Sequence, residues 1–407
     1  MESMELSILT PLIVLGLAAV LLMAAVQLRH LRQAPGGIPS SFPSLSVLKP
    51  LKGADPGLEE NLASFFRQTY PRYQIVLGVA EENDPAVAVA RHVMADHPHV
   101  PARLVVGGSA GVLNPKVGNL ANIVRHAGGE LILISDSNVR VSPGYLEELV
   151  AQLERPGVHL VSSPFRGIGR GSVGTACEAL HLNTFVMGGV AAVHHLLRGV
   201  CVVGKSMLLH RADLEAMGGF AFLGRFLAED QVCGQEVAAA GGRLVLSSHV
   251  VDNVVGGVSV RRFLSRHLRW AKIRWRMSRV GYLAELLLNP VFVATVQLAV
   301  VRTAAAAGAL AAALLVKSAV DAAVERRLGV RRLLVLYPFL VFFKDLCVGL
   351  TWPVPLISRT VTWRGNRLRI GRRTELCPVA GPAGELEVFP VSPVAGRLDG
   401  GPAAMGA

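Results

Sequence analysis

Charge is scarce in this sequence: Asp, Glu, Lys and Arg make up 17% of its 407 residues, against 51% hydrophobic, and mean hydropathy is +0.45. A soluble domain of this length carries more charge, so part of the chain belongs in lipid. Aromatics are also few, at 6%. No zinc-finger spacing or basic-aromatic array occurs, which argues against nucleic acid as a partner. Cysteine stands at only five positions (Cys177, Cys201, Cys233, Cys347, Cys377) and never as Cys-x-x-Cys. That pattern points to free, reduced thiols. The histidines follow no metal spacing and read as surface or interfacial residues.

The charge that is present has a sign. Formal net charge is +12, and basic residues crowd into 261–279 and 359–373, beside apolar runs, where they suit anionic head groups and phosphates. Leu6 to Gln27 is uncharged and long enough to span a bilayer. Acidic residues precede it, and Arg29, His30 and Arg32 follow. A signal peptide has the opposite flanks, so an uncleaved anchor with its C-terminal side in the cytoplasm is expected. Five segments follow: an anchor at 1–28, a Pro/Gly-rich linker at 29–43, and a cytoplasmic α/β domain with interfacial helices at 44–280. Membrane-embedded helices at 281–352 and a basic segment with a disordered tail at 353–407 complete the chain. Within the fourth segment, 291–316 and 333–350 are long enough to span. The stretch between them reads as a basic loop with Arg326, Arg327, Arg331 and Arg332, and two simple spans would put it outside, against the positive-inside tendency.

In 44–280, apolar strands at 45–48, 74–79, 103–106 and 130–134 alternate with helical stretches. That order predicts a parallel sheet covered by helices, with binding residues at the strands' C-terminal ends. Asp84 and Asp136 follow two of these strands. A strand-end carboxylate such as Asp136 suits a divalent cation against a diphosphate, or a turn cap. Asp84 suits hydrogen bonds to a nucleotide, or the N-cap of the next helix. Lys49 and Lys52 suit phosphate, or a solvated loop. Asn114-Pro-Lys116, with Asn119 one turn on, puts ammonium and amide groups at a helix N-terminus, where anions bind. Asp230, in the apolar setting Phe226-Leu-Ala-Glu-Asp230, suits a partly desolvated proton acceptor. Arg266, Arg269 and Trp270 lie at i, i+3 and i+4 and share a helix face. The guanidinium forks suit phosphate and the indole can cover a sugar or an apolar tail, although such helices also serve as interfacial anchors.

Taken in order, Lys49-Pro-Leu-Lys-Gly, Asn83-Asp84-Pro-Ala, Asn114-Pro-Lys, Asp136-Ser, Ala228-Glu-Asp230 and Arg266-x-x-Arg269-Trp270 resemble the ceramide glucosyltransferase family. Trp363-Arg-Gly-Asn-Arg-Leu-Arg369 is similar to that family's C-terminal segment, with its glycine shifted by one. The resemblance covers roughly 44–375. It implies a GT-A nucleotide-sugar fold, a UDP-sugar donor, a membrane-lipid acceptor, Mg²⁺ or Mn²⁺, and an inverting mechanism. Asp84 would be the nucleotide aspartate, Asp136 the metal aspartate and Asp230 the base, with Arg266, Arg269 and Trp270 closing over diphosphate and acceptor. The departure is Asn138, where wider GT-A enzymes have the second Asp of D-x-D. Transfer of glucose from UDP-glucose to ceramide is the leading expectation, with transfer of N-acetylglucosamine to a hopanoid polyol as the runner-up. A catalytically inactive lipid-binding scaffold would be expected to lack one of the three aspartates, and all three are present.

Overall fold

The structure, a computed structural model, describes residues 2–107, 111–169, 171–363 and 366–378. Its centre is a seven-stranded sheet of order β3-β2-β1-β4-β8-β6-β9. The strands are β1 (Leu45–Pro50), β2 (Tyr73–Val79), β3 (Ala102–Val106), β4 (Leu131–Ser135), β6 (Val158–Ser162), β8 (Ser206–His210) and β9 (Arg243–Leu246). A small second sheet joins β5 (Val139–Arg140), β10 (Val251–Val254) and β7 (Phe165–Ile168), and pins the chain just after β4. Every residue of β1 and of β4 is buried, as strands covered on both faces require.

The α/β class is as expected, but the sheet is mixed. β1 to β4 are parallel, whereas β8 runs antiparallel to both β4 and β6. The reversal has a functional consequence. Ser135 at the end of β4 pairs with Ser206 at the start of β8, so the residue before β8 lies beside the C-terminal ends of the parallel strands.

Among the described residues, four helices are long and apolar enough to cross a membrane: Leu9–His30, Val173–His195, Ala304–Arg327 and Leu336–Ile357. A fifth arises if the pair Arg279–Leu288 and Pro290–Val301, bent by 69°, is taken as one. Val173–His195 leaves from β7 and returns through 196–205 to β8 of the central sheet.

The stretch read as a basic loop is a correction. Ala304–Arg327 is one helix, and Lys317, Asp321 and Glu325 face inward at i, i+4 and i+8. Lys317 pairs with Asp321 at 3.1 Å, and Glu325 with Arg332 at 2.8 Å. A helical stripe of charges buried against other charges resembles a solvated loop when only composition is read. The helix's C-terminal end lies beside the C-terminal end of the N-terminal helix, since Arg327 donates to the Leu31 carbonyl (2.5 Å) just past it. His30 holds that same end to the α/β region through the Ser247 carbonyl (2.9 Å). The histidines need correcting too: His30, His181 and His267 are buried.

A C-terminal sheet, β11 (Thr360–Trp363), β12 (Asn366–Ile370) and β13 (Leu376–Pro378), returns to the α/β region. Leu376 N donates to the Arg225 carbonyl and Leu227 N to the Thr374 carbonyl. Val361, Leu368, Ile370 and Leu376 form a small core with Leu227. Arg364, Gly365 and the tail from 379, expected to be disordered, lie outside the described residues.

Candidate active site

At the C-terminal end of β4, Asp136 meets two ammonium groups. Lys116 Nζ lies 2.8 Å from Oδ1 and Lys205 Nζ 3.1 Å from Oδ2. Lys116 sits in the first turn of the helix Pro115–Ile123, which Asn114 caps by accepting from the Lys116 and Val117 amides. From there it also reaches Glu229 Oε1 at 3.0 Å and the Gly204 carbonyl at 3.2 Å. Burial would hold the Asp136 carboxyl up, yet the two lysines keep it well below the usual carboxylate range. Burial would likewise lower Lys116, but Asp136, Glu229 and Asp230 hold it above its ordinary value.

Asp230 opens the helix Glu229–Ala239. The peptide of Gly204 ties it to the lysine pair, because Gly204 N donates to Asp230 Oδ2 (2.5 Å) while Gly204 O accepts from Lys116. A Cβ at position 204 would stand 2.9 Å from that carboxylate oxygen, so the close approach requires glycine. Burial first, and then Glu229, push the Asp230 carboxyl up to about 6, with Lys116 opposing. A carboxylate poised there is a serviceable proton acceptor near neutral pH.

The other expected residues take varied places. Asp84 accepts from the Gly53 amide (2.8 Å) and the Ala86 amide (2.8 Å), so it both shapes the loop after β1 and caps the next helix. Lys52 is exposed on that loop. Lys49 is wholly buried, donates to the Asp136 carbonyl at 2.9 Å, and lies over the Phe65 ring. Burial pushes its ammonium down to about 7, Asp136 opposing. Lys49 therefore supports the Asp136 turn from beneath. Asn119 is buried and donates to the Leu51 and Gly78 carbonyls, joining helix to sheet.

The basic helix Val260–Met277 begins at Ser259, whose hydroxyl accepts from the Arg262 amide. Phe263, His267 and Ala271 are buried at i, i+4 and i+8. Arg266 is ion-paired to buried Glu178. Its guanidinium is lowered by burial and raised by nearby Asp55, which accepts from Ser137 Oγ (3.2 Å) beside the Asp136 turn. Arg266 is therefore linked to the Asp136 turn only through Asp55 and Ser137. Arg269 and Trp270 follow on the same helix, both half-buried.

Lys205 and Glu229 are site residues that no candidate role covered. Glu229 stood in a quoted motif, whereas Lys205 precedes an antiparallel strand, outside any rule that looks at strand C-terminal ends. Asn138, in the second D-x-D position, accepts from Lys205 at 3.0 Å. With both oxygens of Asp136 held by ammonium groups, the donor set as it stands does not fit Mg²⁺ or Mn²⁺. Among the described residues no three His, Cys, Asp or Glu side chains converge as cation ligands.

Residues 9–376 match glycosyl transferase family 21. The chain belongs to that family. The match takes in the whole α/β region with its mixed sheet, the region in which the motif order implied a GT-A fold. Ceramide glucosyltransferase 3 of Caenorhabditis elegans is 34% identical over 239 residues, which are 58% of this chain and 52% of that protein. The ceramide glucosyltransferase of Komagataella phaffii is 28% identical over 308 residues, covering 61% of this chain and 60% of the relative. The chain thus spans between about half and three-fifths of these relatives. A mannosyltransferase from Pyrobaculum calidifontis, solved with GDP-Man and Mn²⁺, aligns with a TM-score of 0.49 at 20% identity, covering 85% of this chain and 98% of its own. Staphylococcus aureus TarS with UDP-GlcNAc aligns with a TM-score of 0.38 at 16% identity, covering 82% and 98%.

Proposed function

We propose that this family 21 protein is an inverting glycosyltransferase that moves glucose from UDP-glucose to the primary hydroxyl of ceramide. The observation that carries the reading is that Lys116 and the Gly204 backbone join Asp136 to Asp230 at one end of the sheet, in a chain whose family relatives are named ceramide glucosyltransferases. The acceptor oxygen attacks the anomeric carbon as the bond to UDP breaks, and the hydroxyl proton passes to Asp230. Asp84 and Lys52 line the nucleotide side, while Arg269 and Trp270 cover diphosphate and acceptor.

A Mg²⁺ or Mn²⁺ ion on Asp136 would have to displace an ammonium group. We therefore assign the charge of the departing UDP to Lys116, Lys205, Arg266 and Arg269. Transfer that persists in EDTA is the expected outcome. Loss of activity in chelator, with recovery on adding Mn²⁺, would return the ion to the mechanism.

The N-terminal helix and the pair Pro290–Val301 and Ala304–Arg327 are read as the membrane-inserted part, with the catalytic region on the cytoplasmic side where UDP-sugars are available. The purified full-length protein, supplied with ceramide and each UDP-sugar in turn, tests the whole reading by mass spectrometry of the lipid product. Glucosylceramide is expected. Transfer of another sugar, or none to ceramide, would overturn it.

A further inference from the structure

Where the basic helix meets the membrane-side helices, a narrow cleft runs between Val173–His195, Val260–Met277, Ala304–Arg327 and Leu336–Ile357. It offers about 20 Å³ to the centre of a water-sized group, so what enters is slim. Its outer wall is apolar, with Leu288, Val348 and Trp352.

Three of the atoms belonging to its lining residues are buried polar atoms without a hydrogen-bond partner: His181 Nε2, His267 Nδ1 and Asp345 Oδ2. The parent residues are only 2%, 3% and 3% exposed. Unpaired polar atoms at such depth are costly, and three at one cleft point to something that pairs with them.

The charges around the cleft say what kind of group that is. Arg274 pairs with Glu285 at 2.7 Å, Lys317 with Asp321 at 3.1 Å, and Lys344 with Asp345. Lys317 stands 3.8 Å from Asp345 Oδ2, beyond hydrogen-bond reach. Three cations face three carboxylates here, so the cleft carries no surplus positive charge that would single out a phosphate. Burial pushes the His267 imidazole down to about 3, which leaves it neutral and able to exchange a single hydrogen bond at either ring nitrogen. An acceptor carboxylate oxygen and two imidazoles together suit an uncharged group with N–H or O–H donors.

The cleft also adjoins the reaction site. His267 follows Arg266 in sequence, and His181 stands one turn after Glu178, the partner of Arg266. The Arg266–Glu178 pair is thus carried by the same two helices as the histidines of the cleft.

We propose that this cleft holds the uncharged polar head of the acceptor lipid, its amide N–H or a hydroxyl donating to Asp345 Oδ2 while His181 and His267 complete the pairing. The assignment rests on the acceptor reading above, and the test separates the two. Full-length protein in nanodiscs is titrated with fluorescent ceramide, diacylglycerol and phosphatidylglycerol without donor, and UDP binding is measured in parallel. His181→Phe and His267→Leu should each weaken binding of ceramide at least tenfold, with UDP affinity unchanged as the sign of a folded protein. His267→Gln, which keeps a polar group, should recover part of the loss. Where wild type transfers glucose to ceramide but both variants bind it normally, the cleft assignment is overturned. Where wild type ignores ceramide but binds diacylglycerol in a manner the variants weaken, the acceptor reading fails and the cleft stands. Preference for phosphatidylglycerol, or no lipid whose binding the variants weaken, would overturn it as well.

Discussion

Asp230 and Lys205 carry the most direct tests at the scale of single residues. Asp230→Asn should leave UDP binding near normal while turnover falls by about two to four orders of magnitude. Because burial and Glu229 raise the Asp230 carboxyl to about 6, it is protonated below that pH and cannot accept the hydroxyl proton. The pH profile of kcat/KM should therefore fall on the acid side of about 6, and a profile flat to pH 4.5 would remove Asp230 as base. Lys205→Met takes one ammonium from Asp136 and frees Oδ2. Turnover should drop about 10²- to 10³-fold, the scale for losing one preorganised stabilising group. Mn²⁺ should then restore part of the loss in the variant while leaving wild type unchanged, and no response in the variant would count against the charge assignment. Asp136 and Asp230 were legible as candidates because each ends or adjoins an apolar run. Lys49 and Asn119 were legible as motif residues, but a motif does not say whether a side chain faces a ligand or the sheet beneath it. Only the register of β4 against β8 brings Lys205 in.

Helices show the same division between pattern and partner. The basic helix was legible from its spacing alone, since Arg266, Arg269 and Trp270 share a face whatever they meet. Ala304–Arg327 was not, because its inward stripe is charged and its partners come from other segments. Glu325 accepts from Arg332 (2.8 Å), Asn183 (2.8 Å) and Tyr337 (2.9 Å), so one carboxylate holds three elements. Removing one partner of a buried pair leaves the other charge uncompensated. Glu325→Ala should cost about 3–5 kcal/mol, read by denaturant unfolding of the detergent-solubilised protein. Glu325→Gln should cost less, since it keeps the contacts to Asn183 and Tyr337. A loss below 1 kcal/mol for the Ala variant would mean that the seam is hydrated.

For the whole molecule, the question is on which side each end lies. The basic segment 326–332 posed a conflict when read as the loop between two spans. Arg327 at Leu31, and Arg166 on β7 ion-paired to Asp252 and bonded to the Leu328 carbonyl, put that segment beside the α/β region instead. The tight turn at Arg302, with φ +53°, then falls at the far end of the helical pair. Single cysteines at Ala34 and Ala323, in a cysteine-free background, should react with an impermeant thiol reagent only when the catalytic face of a vesicle is exposed. A cysteine replacing Arg302 should stay unreactive from that face. Labelling of Ala323 from the opposite face alone would reverse this topology.

The last strands impose an order on biosynthesis. Leu227, three residues before Asp230, is held by Thr374 and by a core of residues from 361 to 376. Lys272 of the basic helix donates to Ser358 Oγ and to the Thr360 carbonyl. Neither the segment leading into the Asp230 helix nor the helix carrying Arg266 and Arg269 has its full support until the ribosome has passed the membrane segments and reached the final strands. A nascent chain can thus insert every apolar helix while its reaction centre is still unbraced, and the centre is completed only once membrane insertion is over.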